Sequence, residues 1–306
     1  MKTLKYLFII ISILFAMVNC REKEIPVVFD QVNFSFITHT TVIANVELKS
    51  LNSGAFRFGV VYSEKSTPTI NDFSAEDFFS DPLNFSIGVS GLKPGTTYYL
   101  RPFIESAEGL FYGESFTFQT LSPEWYTDPR DGQKYLIRKY DTETWMIQNL
   151  NYNLPGSKYF FNDSMKYAQE FGRIYTYSQA IEACPPGWRL PSPNDWDNLI
   201  KFCGPTNEKA IEAMVEPGKR LWSESQQYIR NNASGFTIKP SGALTLGNGS
   251  ETFTEKGYST NFWSMTDDGI EARTYSYAPH FSSHFVNTTE INNKLTFISV
   301  RCVKDN

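Results

Sequence analysis

The sequence predicts two folded units in series, an all-β sandwich followed by an α+β domain. Three observations carry this. Between about residues 27 and 121, short runs alternate apolar and polar residues, with turn signals between them and no long helix. Beyond residue 122, helix-capping residues stand in register, most sharply at Ser192-Pro193-Asn194-Asp195. Cysteines and tryptophans frame this second half, from Cys184 to Cys302. The 306 residues suffice for two ordinary domains, and 41% hydrophobic with 16% aromatic content supplies their cores and favours strands.

The chain opens on Lys2 and Lys5, then an apolar run from Leu7 to Val18 broken only by Ser12, then Cys20 and the charged segment Arg21-Glu22-Lys23-Glu24. The run is short of the roughly 20 apolar residues a permanent membrane helix needs. The pattern resembles a bacterial lipoprotein signal, in which the cysteine becomes the lipidated first residue. Met17-Val18-Asn19 departs from it, lacking the usual Leu at the third position before the cysteine and the small residue just before it. An ordinary secretory signal is the alternative. The expectation is a signal peptide over 1–20, lipidation at Cys20, a tether over 21–26, and a membrane contact through the lipid. The acidic residues after Cys20 resemble surface-export signals of Bacteroidetes-like bacteria, which places the chain in the cell envelope, at the outer membrane. The formal net charge is -5, and losing the leader makes it more negative. With no Lys/Arg cluster, that balance argues against nucleic acid as a partner and against electrostatic docking on anionic lipid.

In the first unit, residues 27–121, Val42, Ala44, Val46 and Leu48 recur with period two, and Phe56 to Tyr62 forms a second strand candidate. Tyr98 to Ile104 and Phe111 to Gln119 are two more, turning at Glu108-Gly109. The acidic, aromatic stretch Thr69 to Phe79 reads as a loop with a helical turn. Gly91-Leu92-Lys93-Pro94-Gly95-Thr96-Thr97-Tyr98 resembles the strand-to-strand corner of fibronectin type III domains. That resemblance implies an immunoglobulin/fibronectin-III-like sandwich with Leu92 in its core. Such modules serve as spacers or ligand platforms.

Leu121 to Glu124 reads as a linker into the second unit, residues 122–306. Asp128 to Gln133 is a turn whose Asp, Pro and Gly need no calcium. Tyr135 to Arg138 and Thr144 to Leu150 form a hairpin. Tyr177 to Ala183 reads as a helix stopped at Cys184-Pro185-Pro186-Gly187. Ser192 caps a second helix that presents Trp196, Leu199, Ile200 and Cys203 on one face and ends at Gly204. Glu208 to Val215 is a third. Strand patterns return at Gly235 to Ile238, Asn261 to Ser264, Arg273 to Ala278 and Leu295 to Val303, where Ile298, Val300 and Cys302 share a face.

If Cys20 carries lipid, an odd number of cysteines remains, and an oxidising compartment should pair two of them. Cys184 with Cys302 closes the longer loop, a constraint worth on the order of 4–5 kcal/mol. It leaves Cys203 as a buried thiol. Cys184 with Cys203 is the competing pair.

The runs WMIQNL (145–150), YSQAIEACPPGWRLPSPNDWDNL (177–199), SGFTIKPSGAL (234–244), FWSMTDD (262–268) and SVRCVKD (299–305) resemble the Fibrobacter succinogenes major paralogous domain. The resemblance covers about 125–306. It implies an exported, often lipid-anchored bacterial protein. The order of motifs also resembles the C-type-lectin-like fold, which implies a Cys184–Cys302 bridge and a framework role for Trp145, Trp188, Trp196 and Trp263. The calcium-binding triplets of true C-type lectins are replaced here by Lys239-Pro240-Ser241 and Trp263-Ser264-Met265, so no calcium site carries over.

Nothing in the sequence marks a catalytic residue, a cofactor or a metal site. His39, His280 and His284 are the only histidines, and no Cys or carboxylate stands at metal-ligand spacing beside the last two. The cysteine motif of formylglycine-generating enzymes, which share a related fold, is not visible. The expected function is non-catalytic: a surface binding or adhesion module whose loops over about 216–290 contact a glycan or a surface protein. A structural part in a surface assembly is the first alternative, and a secreted enzyme the second.

Overall fold

The structure, a computed structural model, describes residues 27–51, 54–77, 80–159, 165–218, 220–223, 230–247, 249–254, 256–265, 273–277 and 296–305. It is mostly strand, arranged in several sheets whose neighbours are antiparallel except at one parallel pairing. Cys20, His280 and His284 lie outside the described residues.

The first half holds β1 (Val27–Ser35), β2 (Thr41–Leu51), β3 (Ala55–Ser63), β4 (Phe73–Asp77), β5 (Asn84–Ser90), β6 (Thr97–Ser106), β7 (Gly109–Tyr112) and β8 (Phe116–Gln119). One sheet runs β1-β2-β5; the other runs β4-β3-β6-β7, with β8 on the far part of β6. Val42, Ala44 and Val46 from the first sheet and Val60 and Leu100 from the second are fully buried in one shared cluster. The two sheets therefore close on each other, because each offers one apolar face. At the corner, Leu92 is buried and the Tyr98 hydroxyl accepts from the Lys93 backbone N–H at 3.0 Å.

Two expectations need correction in this half, and two strands were missed. The Thr69 to Phe79 stretch contains β4, an edge strand paired with β3 from Phe58↔Asp77 to Tyr62↔Phe73. Its Glu76 is held by Arg57 at 2.6 Å, so its charges sit on an ion pair at the sheet edge. Phe111 to Gln119 is two strands, β7 and β8, parted at Gly113, whose position Pro102 and Phe29 crowd. β1 and β5 were not visible in the sequence pattern.

The second half holds β9 (Trp125–Thr127), β10 (Lys134–Tyr140), β11 (Glu143–Met146), β12 (Lys158–Tyr159), α1 (Ala168–Phe171), β13 (Arg173–Tyr175), α2 (Tyr177–Ala183), β14 (Trp188–Arg189), α3 (Pro193–Cys203), α4 (Asn207–Met214), β15 (Ala243–Gly247), β16 (Ser250–Thr254), β17 (Thr260–Ser264), β18 (Arg273–Tyr277), β19 (Thr296–Ser299) and β20 (Val303–Lys304). One sheet runs β14-β20-β11-β10-β9. A second runs β12-β13-β19-β15-β16, with β17 joined parallel to β19 and β18 beside β17. α3 starts as the sequence predicts: the Ser192 hydroxyl accepts from the Asp195 N–H, and the Asp195 carboxylate accepts from the Ser192 N–H at 2.6 Å. A second capping box, Thr176 with Gln179, opens α2.

The hairpin strand ends at Met146 rather than Leu150. Gly235 to Ile238 is no strand: Ile238 makes a single bridge to Val215. The closing strand is broken between β19 and β20, and at the break Val300 and Cys302 instead accept from Leu150 and Met146. Cys184 and Cys302 are disulfide-bonded, with Cα atoms 5.9 Å apart across 118 positions of chain.

The two halves meet closely. A Cβ built on Gly88 would lie 2.5 Å from the Pro217 side chain, so glycine is what lets β5 approach that loop. Across the junction Asn232 donates to the Thr41 hydroxyl at 3.2 Å and Arg220 donates to the Ser90 hydroxyl at 3.2 Å. Among the described residues no helix is long and apolar enough to cross a membrane.

Candidate functional site

A polar cleft of about 290 Å³ opens where the halves meet. β10 supplies one wall, and Tyr135 and Leu136 fix what crosses it. The Leu136 N–H donates to the Gln148 side-chain oxygen at 2.7 Å, and the Tyr135 hydroxyl accepts from the Asn151 N–H at 3.1 Å. The Gln133 and Asn151 side chains pair, with Asn151 Nδ2 donating to Gln133 Oε1 at 2.8 Å. That bond fixes which way the Asn151 amide faces. Opposite lie Glu170 on α1 and Gly172 just after it. Gly172 has φ +68°, and a Cβ there would stand 2.6 Å from the Leu150 carbonyl. Thr40, from the turn between β1 and β2, brings the sandwich into the lining.

Arg301 forms the floor. It is 1% exposed and donates from Nε to Asn149 Oδ1 at 2.7 Å, from Nη1 to the Phe236 carbonyl at 3.1 Å, and from Nη2 to the Thr237 carbonyl at 3.1 Å. A fourth bond, at 3.4 Å, reaches the Met146 carbonyl. The guanidinium lies 4.6 Å from the Phe236 ring centre. Burial pulls it down to about 9, which leaves it charged at neutral pH. Thr237, which also lines the cleft, sits at φ +57°, a left-handed backbone unusual for a β-branched residue. Asn232 holds it there, accepting from its N–H and donating to its hydroxyl, both at 2.9 Å. Backbone strain of this kind costs about 1–3 kcal/mol and concentrates at functional sites.

At the mouth, Glu170 bonds both Lys239 and Arg220, the latter at 2.6 and 2.9 Å, and Arg220 also bonds Glu216 at 2.7 Å. Burial would raise the Glu170 carboxyl, but these two cations outweigh it and hold it at about 2. Two wall oxygens, Thr40 Oγ1 and Asn151 Oδ1, are shielded from solvent and have no hydrogen-bond partner among the described residues. An unmade bond of this kind costs about 1–3 kcal/mol.

The four framework tryptophans lie elsewhere. Trp145 and Trp196 pack at 4.9 Å in one core around Phe236, and Trp188 and Trp263 belong to a second core with Cys302. The Trp263 indole donates to the Tyr175 carbonyl at 2.7 Å. All four are at most 6% exposed, so none offers a ring face to a ligand. Cys203 is a free, half-buried thiol that burial pushes up to about 11. In the Asp128 turn the carboxylate is bound by Arg130 at 2.8 Å. His39 is buried, with its pKa lowered by burial. Among the described residues no three His, Cys, Asp or Glu side chains gather to hold a metal. The sequence motifs gave no sign of the cleft; its one visible clue was Arg301, a charge amid the apolar residues of the closing segment.

The model of the Fibrobacter succinogenes major domain matches residues 138–304. The chain belongs to this family. The match takes in most of the cleft's lining, leaving out Thr40 of the sandwich and the residues from Gln133 to Leu136 at the start of β10. Among solved structures, a short form of the sensor domain of the anti-sigma factor RsgI4 from Pseudobacteroides cellulosolvens is similar at 24% identity, covering 33% of this chain and 99% of that one with a TM-score of 0.27. A solution structure of that sensor domain is similar at 21% identity, covering 31% of this chain and 74% of the other with a TM-score of 0.25. No curated protein matches the chain.

Proposed function

We propose that this family member is an exported, lipid-anchored and non-catalytic binding protein of the cell envelope, whose junction cleft takes a hydroxyl-rich ligand such as a glycan residue. The observation that carries this is the cleft's chemistry. Side-chain amides and hydroxyls dominate the lining, and two of its oxygens lack partners. Those groups suit alternating donors and acceptors on a sugar, and the volume lies near the roughly 300 Å³ lower bound of small-molecule sites. Its one carboxylate is spent in ion pairs and held at about 2, too low to shuttle protons near neutrality. The finer fold reading belongs to the same proposal. The first half is a fibronectin-III-like sandwich, supported by the Leu92 and Tyr98 corner. The second is C-type-lectin-like, supported by an opening hairpin, two helices and a disulfide from the end of the first helix to the closing segment. Lipidation at Cys20 rests on the leader pattern.

A glycan array probed with residues 21–306, followed by calorimetry on each hit, tests the binding reading. Saturable binding that is lost when Asn151 is replaced by Leu supports it. Binding unaffected by that change places the ligand elsewhere. Radiolabelled fatty acid incorporation into the full chain, lost on Cys20→Ala, tests the anchor.

A further inference from the structure

Arg301 is the one buried charge of the cleft that no opposite charge answers. Among the described residues no carboxylate pairs with it; its partners are an amide oxygen, three carbonyls and ring faces. Those four bonds leave one N–H of its five unused. A cation placed in a low-dielectric wall projects its field into the adjoining cleft far more strongly than one in water. The other charges at the cleft do not cancel it. Glu170 and Glu216 are matched by Arg220 and Lys239, two against two. Lys134 adds a further positive charge at the rim, exposed and without an ion pair among the described residues. The lining is thus net positive in a chain whose formal charge is -5.

We infer that the residue recognised in the cleft is an acidic sugar, one carrying a carboxylate as well as hydroxyls. This rests on the binding reading above and narrows it. The carboxylate answers Arg301 and Lys134. The hydroxyls answer the polar wall, and here the geometry separates a sugar acid from a bare inorganic anion. Asn151 Oδ1 is an acceptor closed to solvent, its amide nitrogen being bonded to Gln133, so a ligand group that opens the wall and reaches it must donate. Sulfate offers only acceptors; a hexuronate offers both. The size of the cleft suits one such residue, with the rest of a chain outside.

The test is calorimetry on residues 21–306 with glucuronate and galacturonate, their neutral counterparts glucose and galactose, and sodium sulfate, each at low and high sodium chloride. Uronate binding at least about tenfold tighter than the neutral sugar and weakened by salt is expected, because exposed charge attraction is screened. Lys134→Gln, at an exposed position, should weaken uronate about threefold to fivefold and narrow its advantage over the neutral sugar by the same factor; an unchanged uronate-to-neutral ratio would overturn the part given to Lys134. Equal affinity for uronate and neutral sugar, insensitive to salt, overturns the acidic specification and leaves the binding reading standing. Sulfate binding as tightly as uronate overturns the sugar and leaves an anion site. No saturable binding of any uronate or neutral sugar overturns both.

Discussion

Reducing the Cys184–Cys302 bridge should cost the second half most of its stability, and the size follows from the chain. The bond joins positions 118 apart, for which the loop-closure relation gives about 5 kcal/mol of constraint on the unfolded chain. A domain's whole stability is about 5–15 kcal/mol. With a urea slope of about 2 kcal/mol/M for a domain of this size, the midpoint should fall by about 2.5 M. The assay is selective by composition: all six tryptophans lie at Trp125 or beyond, so indole emission reports the second half alone. Cys203→Ser, made in both oxidised and reduced samples, removes the thiol that could reshuffle the bond. Oxidised and reduced forms with midpoints within about 0.5 M of each other would refute the reasoning, because a constraint of that length cannot be thermodynamically silent unless the unfolded chain is already compact.

Three further changes probe the framework. Glu143 faces the Asp195 carboxylate: burial and that neighbour raise its pKa, whereas at Asp195 burial is outweighed by Arg189 and Ser192, which hold it at about 2. The raised Glu143 favours the fold below its ordinary 4.5 and loses that contribution as pH rises; the lowered Asp195 favours it above 3.8 and loses it toward pH 2. Glu143→Gln should therefore raise the melting temperature at pH 8 and change it little near pH 4; equal destabilisation at both would contradict this. Gly59→Ala would set a Cβ 2.1 Å from the Ala75 carbonyl oxygen, so β4 must move. The cost is about 1–3 kcal/mol in the far-UV transition of the sandwich, with the indole transition unmoved. Arg220→Ala strips the only cation bonded to Glu216 among the described residues, and Glu216 is 1% exposed, so the cost is about 3–5 kcal/mol. It should also speed cleavage after Glu124 by a glutamate-specific protease about tenfold, by loosening the junction; unchanged cleavage would show that the junction does not depend on this ion pair.

What the sequence disclosed was whatever is decided within a few residues. The start of α3 is legible because a serine, a proline and an aspartate settle it locally, and β2 and β6 because apolar residues recur along them with period two. β4 was hidden because an edge strand carries Ser, Glu and Asp where a central one carries Val. The closing strand misled for a different reason. Ile298, Val300 and Cys302 keep strand periodicity, but the backbone leaves the ladder there and Arg301 gathers carbonyls from Met146, Phe236 and Thr237, over 60 positions away. Burying that cation is costly, and no local rule predicts it. The bonds that compensate come from distant loops, and the cleft comes from the same convergence, so it leaves no motif.

That convergence changes the role of the sandwich. A mere spacer would contribute nothing to a distal site, yet Thr40 lines the cleft and Thr41 bonds the asparagine that holds Thr237 in its strained backbone. Thr40→Val separates the two roles, since valine keeps the shape and removes only a hydroxyl that bonds nothing among the described residues. Stability should stay within about 0.5 kcal/mol of the parent. Affinity for the ligand should fall about threefold to tenfold, the worth of one hydrogen bond. Unchanged affinity would return the sandwich to the part of a stalk and confine recognition to the second half.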